Sequence, residues 1–310
     1  MNKPQNDMIM KKTIILSAIL AVAAFSCISC KEDVLNPESV ITVRETVATD
    51  FDKWLDENFV KPYNIDFKYR FEMNESDMNY YTIPADYQSS IKLANLVKYL
   101  CVDTYDEVAG IDFTRGYFPK MFFLIGEFEY RNNGTMILGT AEGGKKILLS
   151  GVNWLPHMLT QGPDALNEYY IKTIHHEFTH ILNQTKDFQV DFSLVTGSGY
   201  VADSWSEEPF DRDYLQNGFI SAYSQHSATE DFAEMMSIYV TNTPEYWEEQ
   251  LKQAGTDGAA KITTKLGFVR SYMADSWNID LDELRSTVIR RQNDVFNGKI
   301  DLDDISINKE

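Results

Sequence analysis

The chain has 310 residues and carries 47 acidic against 28 basic side chains, a formal charge of −19. A body this acidic argues against binding to nucleic acid or to an anionic membrane surface, because both repel negative charge. With 44% hydrophobic and 13% aromatic residues, the chain can bury one large core or two lobes that share a cleft. Only Cys101 of its three cysteines lies beyond residue 30, so we expect no disulfide framework.

The first thirty residues have the pattern of a lipoprotein signal sequence. An apolar run over residues 13–25 follows a basic start, is too short to be a stable bilayer anchor, and is followed by Ser26-Cys27-Ile28-Ser29-Cys30. We predict a signal peptide over residues 1–29, a lipid on Cys30 and a tether over residues 30–47. Cys27 is the alternative lipid site. The lipid would hold the protein to a membrane.

Residues 48–185 are predicted to form a first lobe that contains both helices and strands. Helical spacing of apolar residues predicts helices over residues 51–59 and 84–106, and alternation predicts a half-buried strand over residues 64–73. Three further strands are predicted over residues 120–130, 135–141 and 146–149, with turns at residues 132–134 and 142–144.

A helix predicted over residues 163–184 carries His176-Glu177-Phe178-Thr179-His180, which reads H-E-x-x-H. Residues four apart share a face of a helix, so both imidazoles can point at one ion. Glu177 lies one step round the helix, where its carboxylate can reach a metal-bound water. The same pentapeptide also arises by chance on exposed helices. A third ligand elsewhere in the chain is therefore needed before the motif indicates a zinc site.

Two acidic side chains lie on the next predicted helix, over residues 229–239. Glu230 and Glu234 are four apart and share a face, where like charges repel each other. The pattern favours a cation or the two histidines beside these carboxylates, with a solvated acidic face as the alternative. Helices predicted over residues 244–254, 258–277 and 280–293 complete a second lobe, residues 186–310.

The order of these motifs resembles that of the gluzincin metallopeptidases. H-E-x-x-H is followed by Glu230-Asp231-Phe232-Ala233-Glu234, which reads E-x-x-A-E, and Tyr223 precedes Glu230 by seven residues. The interval from Tyr to Glu is similar to that of anthrax lethal factor. The chain as a whole is similar to zinc-binding metallopeptidase lipoproteins of Gram-negative surfaces, which implies an outer-membrane or cell-surface location.

The resemblance implies one Zn²⁺ per chain, held by His176, His180 and Glu230 with water in the fourth position. Glu177 would be the base that deprotonates this water and then protonates the leaving amine. Glu234, on the same helix as Glu230, would orient a ligand histidine. The reverse assignment, with Glu234 as the ligand and Glu230 as the supporting residue, stays open.

The fold that the resemblance implies is an α+β zincin. A mixed β-sheet and the active-site helix form the N-terminal lobe (48–185), and a helical C-terminal lobe (186–310) carries the glutamate. Tyr223 would donate to the oxyanion of a peptide or protein substrate, and we expect a monomer. An edge strand would pair with substrate backbone, with residues 120–130 or 146–149 as candidates.

Other functions remain open from the sequence. The strongest alternative is a non-catalytic accessory lipoprotein that keeps the zincin fold for nutrient or glycan capture; a weaker one is a hydrolase of non-peptide amides. Glu177 favours an enzyme, because a purely structural zinc site needs no base there. His226 is either a donor to the substrate or a loop histidine with no role.

Overall fold

The structure is a computed structural model that describes residues 47–75, 80, 82–130, 136–137, 139–142 and 145–307. The predicted signal peptide, Cys30 and all of the predicted tether except Val47 lie outside the described residues, as do both predicted turns apart from Glu142. Residues from Ala48 onward belong to one compact unit. In the described part of the chain, no helix combines the length and the apolar character needed to cross a bilayer.

Helices dominate the described residues, and their combination with a small sheet gives an α+β fold. In chain order, the helices are α1 (Asp50–Leu55), α2 (Lys61–Tyr63), α3 (Tyr87–Val97), α4 (Asp103–Ala109), α5 (Ile111–Tyr117), α6 (Leu155–Gln161), α7 (Pro163–Leu166), α8 (Lys172–Thr185), α9 (Asp191–Leu194), α10 (Tyr214–Asn217), α11 (Ala228–Thr241), α12 (Pro244–Trp277) and α13 (Leu281–Phe296).

Six strands form two sheets in the described residues. The strands are β1 (Asp66–Lys68), β2 (Met121–Leu124), β3 (Glu129–Tyr130), β4 (Met136–Ile137), β5 (Gly139–Glu142) and β6 (Lys146–Leu149). The larger sheet has the order β1-β2-β6-β5, with β1, β2 and β6 parallel and β5 antiparallel at the edge. Strands β3 and β4 form a separate antiparallel pair.

The two central strands are buried on both faces, which explains their continuous apolar sequences. On one face, Phe122 and Ile147 belong to the main hydrophobic core. On the other face, Phe123 and Leu148 form a smaller cluster with Ile125, against which Phe71 packs. The sheet is therefore a buried layer beneath the helices that carry the candidate site.

Neither of the two predicted candidates lies at the edge of the four-stranded sheet. Both β2, within residues 120–130, and β6, residues 146–149, are interior strands, because β6 pairs with β2 on one side and with β5 on the other. In the described part of the chain, the outermost strand on that side of the sheet is β5, which also contacts helix α8. Strand pairing depends on distant parts of the chain, so local alternation cannot reveal the order.

Most predicted helices are confirmed, with some changes of extent. The predicted helix over residues 163–184 spans Pro163 to Thr185 as α7, a π-helical turn (Asn167–Ile171) and α8. The predicted helices over residues 244–254 and 258–277 join into α12, but Gly255 between them has φ 68° and ψ −176°, outside the helical region. The strand predicted over residues 64–73 is reduced to β1, since it pairs with β2 over three residues only.

Candidate metal centre

Helices α8 and α11 pack against each other and bring three side chains to one point. His176 and His180 are one turn apart on α8, and their Nε2 atoms are 3.1 Å from each other. Oε2 of Glu230, in the first turn of α11, lies 2.9 Å from His176 Nε2 and 3.2 Å from His180 Nε2. The structure therefore brings together the three residues that the sequence proposes as ligands.

The three atoms fit the donor set and spacing of a zinc site. Two imidazole nitrogens and one carboxylate oxygen are common zinc ligands, and at bond lengths of ~2.0–2.1 Å the ligand atoms of a tetrahedral zinc lie roughly 3.3 Å apart. Each of the three residues offers one atom, and together these atoms could hold a metal ion. In the described part of the chain, Glu230 has ion pairs with these two histidines and with no lysine or arginine.

The electrostatics of the centre favour positive charge between these side chains. Burial lowers the pKa of His176, but the carboxylates of Glu230 and Glu234 outweigh this effect and raise the pKa to about 10. Burial raises the pKa of Glu230, yet the hydrogen bonds to His176 and His180 hold it well below its usual range. The carboxylate is therefore ionised at neutral pH, as a metal ligand must be.

Glu234 lies behind His176 rather than beside the three converging atoms. Its Oε1 is 2.9 Å from Nδ1 of His176, a close electrostatic contact in which the ring N–H is not aligned with the oxygen. Lys172 Nζ is 3.1 Å from the same oxygen, and the Ser221 hydroxyl donates to Oε2 at 2.7 Å. Burial raises the pKa of Glu234, but Lys172 and His176 hold it well below its usual range.

Lys172 and Ser221 were not identified from the sequence. Lys172 lies four residues before His176 on the helix that carries H-E-x-x-H, so its position on the same face was a usable signal. Ser221 lies outside any predicted element, and only the tertiary structure brings it to Glu234.

The two residues that the sequence proposes for catalysis both adjoin the candidate metal centre, Glu177 along the chain and Tyr223 in space. Glu177 follows His176 on α8 and is partly exposed. Tyr223 begins a short 3₁₀ turn (Tyr223–Gln225) just before α11, and its ring centroid is 6.0 Å from that of His176. Trp205 packs edge-on against Tyr223, with 5.0 Å between the ring centroids. The ring of His226 also packs against Tyr223, with 5.6 Å between the centroids.

The other histidines have different surroundings. His175 is fully buried, its Nδ1 is 2.9 Å from the Tyr105 hydroxyl, and burial lowers its pKa to about 3. It is therefore neutral and packs in the core. His226 Nε2 is 3.4 Å from the exposed carboxylate of Asp203, and His157 is exposed.

Comparison with known proteins identifies the family of the chain. Residues 44–282 match the family described as "Putative zinc-binding metallo-peptidase". The fold is similar to the crystal structure of a protein of the same description from Bacteroides caccae, with a TM-score of 0.72 and 41% sequence identity over 86% of this chain and 100% of that one. No curated protein matches the chain. The chain therefore belongs to the family of this description.

Proposed function

We propose that the protein is a zinc-dependent metallopeptidase that hydrolyses peptide bonds at the cell surface, with a zincin-type active site. The observation that carries the proposal is the convergence of His176 Nε2, His180 Nε2 and Glu230 Oε2 within 2.9–3.2 Å of one another. The family supports the class of reaction. We assign Glu177 as the base because it follows His176 in the motif, and Tyr223 as the oxyanion donor because its ring lies near that of His176.

Each side chain at the centre has one task in this proposal. His176, His180 and Glu230 would hold a single zinc ion, and Glu234 would fix the ring of His176 through Nδ1. When bound, zinc lowers the pKa of a coordinated water and polarises a carbonyl group. Glu177 accepts the proton of the attacking water and then gives it to the leaving nitrogen.

Tyr223 would stabilise the charge that develops on the substrate. A phenol donates one hydrogen bond, and such a donor is most effective when it faces the carbonyl oxygen as this oxygen becomes negative. The turn that carries Tyr223 packs directly against α11, so its backbone is fixed relative to Glu230. This fixed position favours transition-state stabilisation over substrate capture.

The outer edge of β5 would give the substrate a second anchor. Strand β5 is antiparallel to β6 and contacts α8, the helix of the H-E-x-x-H motif. An extended peptide could extend the sheet at this edge through main-chain hydrogen bonds alone. Its scissile bond would then lie along the same helix as the metal ligands.

Replacement of the base should separate metal binding from turnover. Glu177→Gln keeps the size of the side chain and both histidines, so we expect zinc content equal to wild type. Cleavage of a peptide library should fall by ~10²–10⁴-fold, the usual range for a lost general base. Mass spectrometry of the digest measures the loss, with Glu283→Gln on α13 as the control. If neither wild type nor control cuts any peptide, the accessory-binding function replaces the enzyme.

Removal of the phenol hydroxyl should affect the transition state only. In Tyr223→Phe we expect unchanged zinc content and KM, with kcat lower by ~10²–10³-fold, as for one missing oxyanion donor. Steady-state kinetics on one peptide measure both constants, with Tyr87→Phe, a partly exposed tyrosine at the start of α3, as the control. Turnover of Tyr223→Phe at the wild-type rate would make Tyr223 a packing residue.

We further propose that a lipid on Cys30 holds the enzyme in the outer membrane or at the cell surface. The support is the signal-like sequence before Cys30 and the charged Lys31-Glu32-Asp33 after it. Fatty-acid labelling in a Gram-negative host should be lost in Cys30→Ala and kept in Cys27→Ala. Loss of the label in Cys27→Ala alone would move the lipid site by three residues.

A further inference from the structure

A buried ion pair lies directly behind the candidate metal centre. Asp231, the residue after Glu230 on α11, and Lys265 on α12 are both fully buried, with 2.5 Å between Oδ2 and Nζ. The Lys265 ammonium also lies 4.0 Å from the centroid of the Phe219 ring. The other oxygen of Asp231, Oδ1, has no hydrogen-bond partner in the described part of the protein.

This pair connects helices α11 and α12 to the chain that leads to Tyr223. Lys265 Nζ donates to the carbonyl oxygen of Gly218 at 3.0 Å, and Gly218 begins the run of residues 218–225 that ends with the Tyr223 turn. The Tyr200 hydroxyl donates to Asp231 Oδ2 at 3.0 Å. The amide of Val201, the next residue, donates to the Gln225 carbonyl at 2.7 Å, so this contact reaches the far end of the same run.

Stability alone is a weak explanation for such a pair. Removing two charges from water costs about as much as their attraction returns, and apolar side chains of similar volume often stabilise a protein equally well. What an apolar replacement lacks is direction: it cannot fix the Gly218 carbonyl or the Tyr200 hydroxyl at a set position. The pair is therefore better explained as a means of orienting residues 218–225.

The middle of residues 218–225 is attached to α11 through a second carboxylate. Ser221 donates to Glu234 at 2.7 Å, and its hydroxyl also accepts from the Ser224 amide at 3.1 Å. Glu234 in turn contacts His176. The segment before and including the Tyr223 turn is thus held by two neighbouring carboxylates of the helix that supplies Glu230.

We propose that Lys265 is a positioning residue, which acts with Asp231 to hold residues 218–225 so that Tyr223 faces the metal centre. The proposal rests on the proposed function for its kinetic consequence only. Without the pair, the metal ligands keep their positions, because α8 and α11 still pack on each other, while the Tyr223 turn becomes loose.

Hydrogen exchange tests the structural half of the proposal without any substrate. The double variant Lys265→Met/Asp231→Asn removes both charges together, so that neither is left buried alone. In the double variant we expect amide exchange in residues 218–225 to be at least ~10-fold faster, with α8 and α11 unchanged. Zinc affinity should stay within about threefold of wild type. The control is Val269→Ala, which creates a buried cavity one turn along α12 from Lys265 and should leave exchange in residues 218–225 at the wild-type rate.

Wild-type exchange in residues 218–225 of the double variant would overturn the proposal. Equally faster exchange throughout α8 and α11 would also overturn it, because the pair would then be a general stabiliser. Both results are independent of cleavage, so they decide the proposal even if wild type cuts no peptide and the proposed function fails.

Kinetics test whether the pair acts through Tyr223. In the wild-type background, the double variant should lower kcat by ~10–100-fold with little change in KM. Combined with Tyr223→Phe it should cause no further loss, since the hydroxyl that it positions is already absent. The same fold loss in the Tyr223→Phe background would show that the pair acts elsewhere and would contradict the positioning role.

Discussion

Helix α11 carries three carboxylates within five residues, and two of them are paired with a lysine. Glu234 has Lys172 and Asp231 has Lys265, both at hydrogen-bonding distance. Among the described residues, Glu230 is paired only with the two imidazoles of α8, and a metal ion between these three side chains would neutralise the carboxylate. This distribution of charge leaves Glu230 as the carboxylate free to bind a metal, because the other two are already neutralised.

The same three carboxylates connect the metal centre to the rest of the molecule. Glu230 reaches the H-E-x-x-H helix, Glu234 reaches both His176 and Ser221, and Asp231 reaches Tyr200 and α12. Glu230 and Tyr223, the proposed ligand and oxyanion donor, are therefore both held in position relative to one helix. Precise placement of this kind is what catalysis by electrostatic stabilisation requires, since a donor that moves must be ordered again during the reaction.

The sequence predicts the local parts of this structure well. H-E-x-x-H and the Glu230–Glu234 pair depend on helical periodicity over a few residues, and both helices are present with His176, His180 and Glu230 brought together. The order of the strands could not be predicted, because the pairing of β2 with β6 is set by distant parts of the chain. Lys265 was missed for the same reason, since it lies 34 residues from Asp231 and reads as one more charge on a polar helix.

The central claim is that one zinc ion is held by His176, His180 and Glu230. Elemental analysis after dialysis against dilute zinc, on wild type, Glu230→Ala, Glu234→Ala and His226→Ala, tests it most directly. We expect close to one zinc per chain in wild type and in His226→Ala. We expect loss of zinc in Glu230→Ala and an affinity lowered by only ~10–100-fold in Glu234→Ala, because Glu234 supports a ligand and is not one itself. A full zinc content in Glu230→Ala would contradict the proposed ligand set. If zinc is then absent from Glu234→Ala or from His226→Ala, that residue is the third ligand.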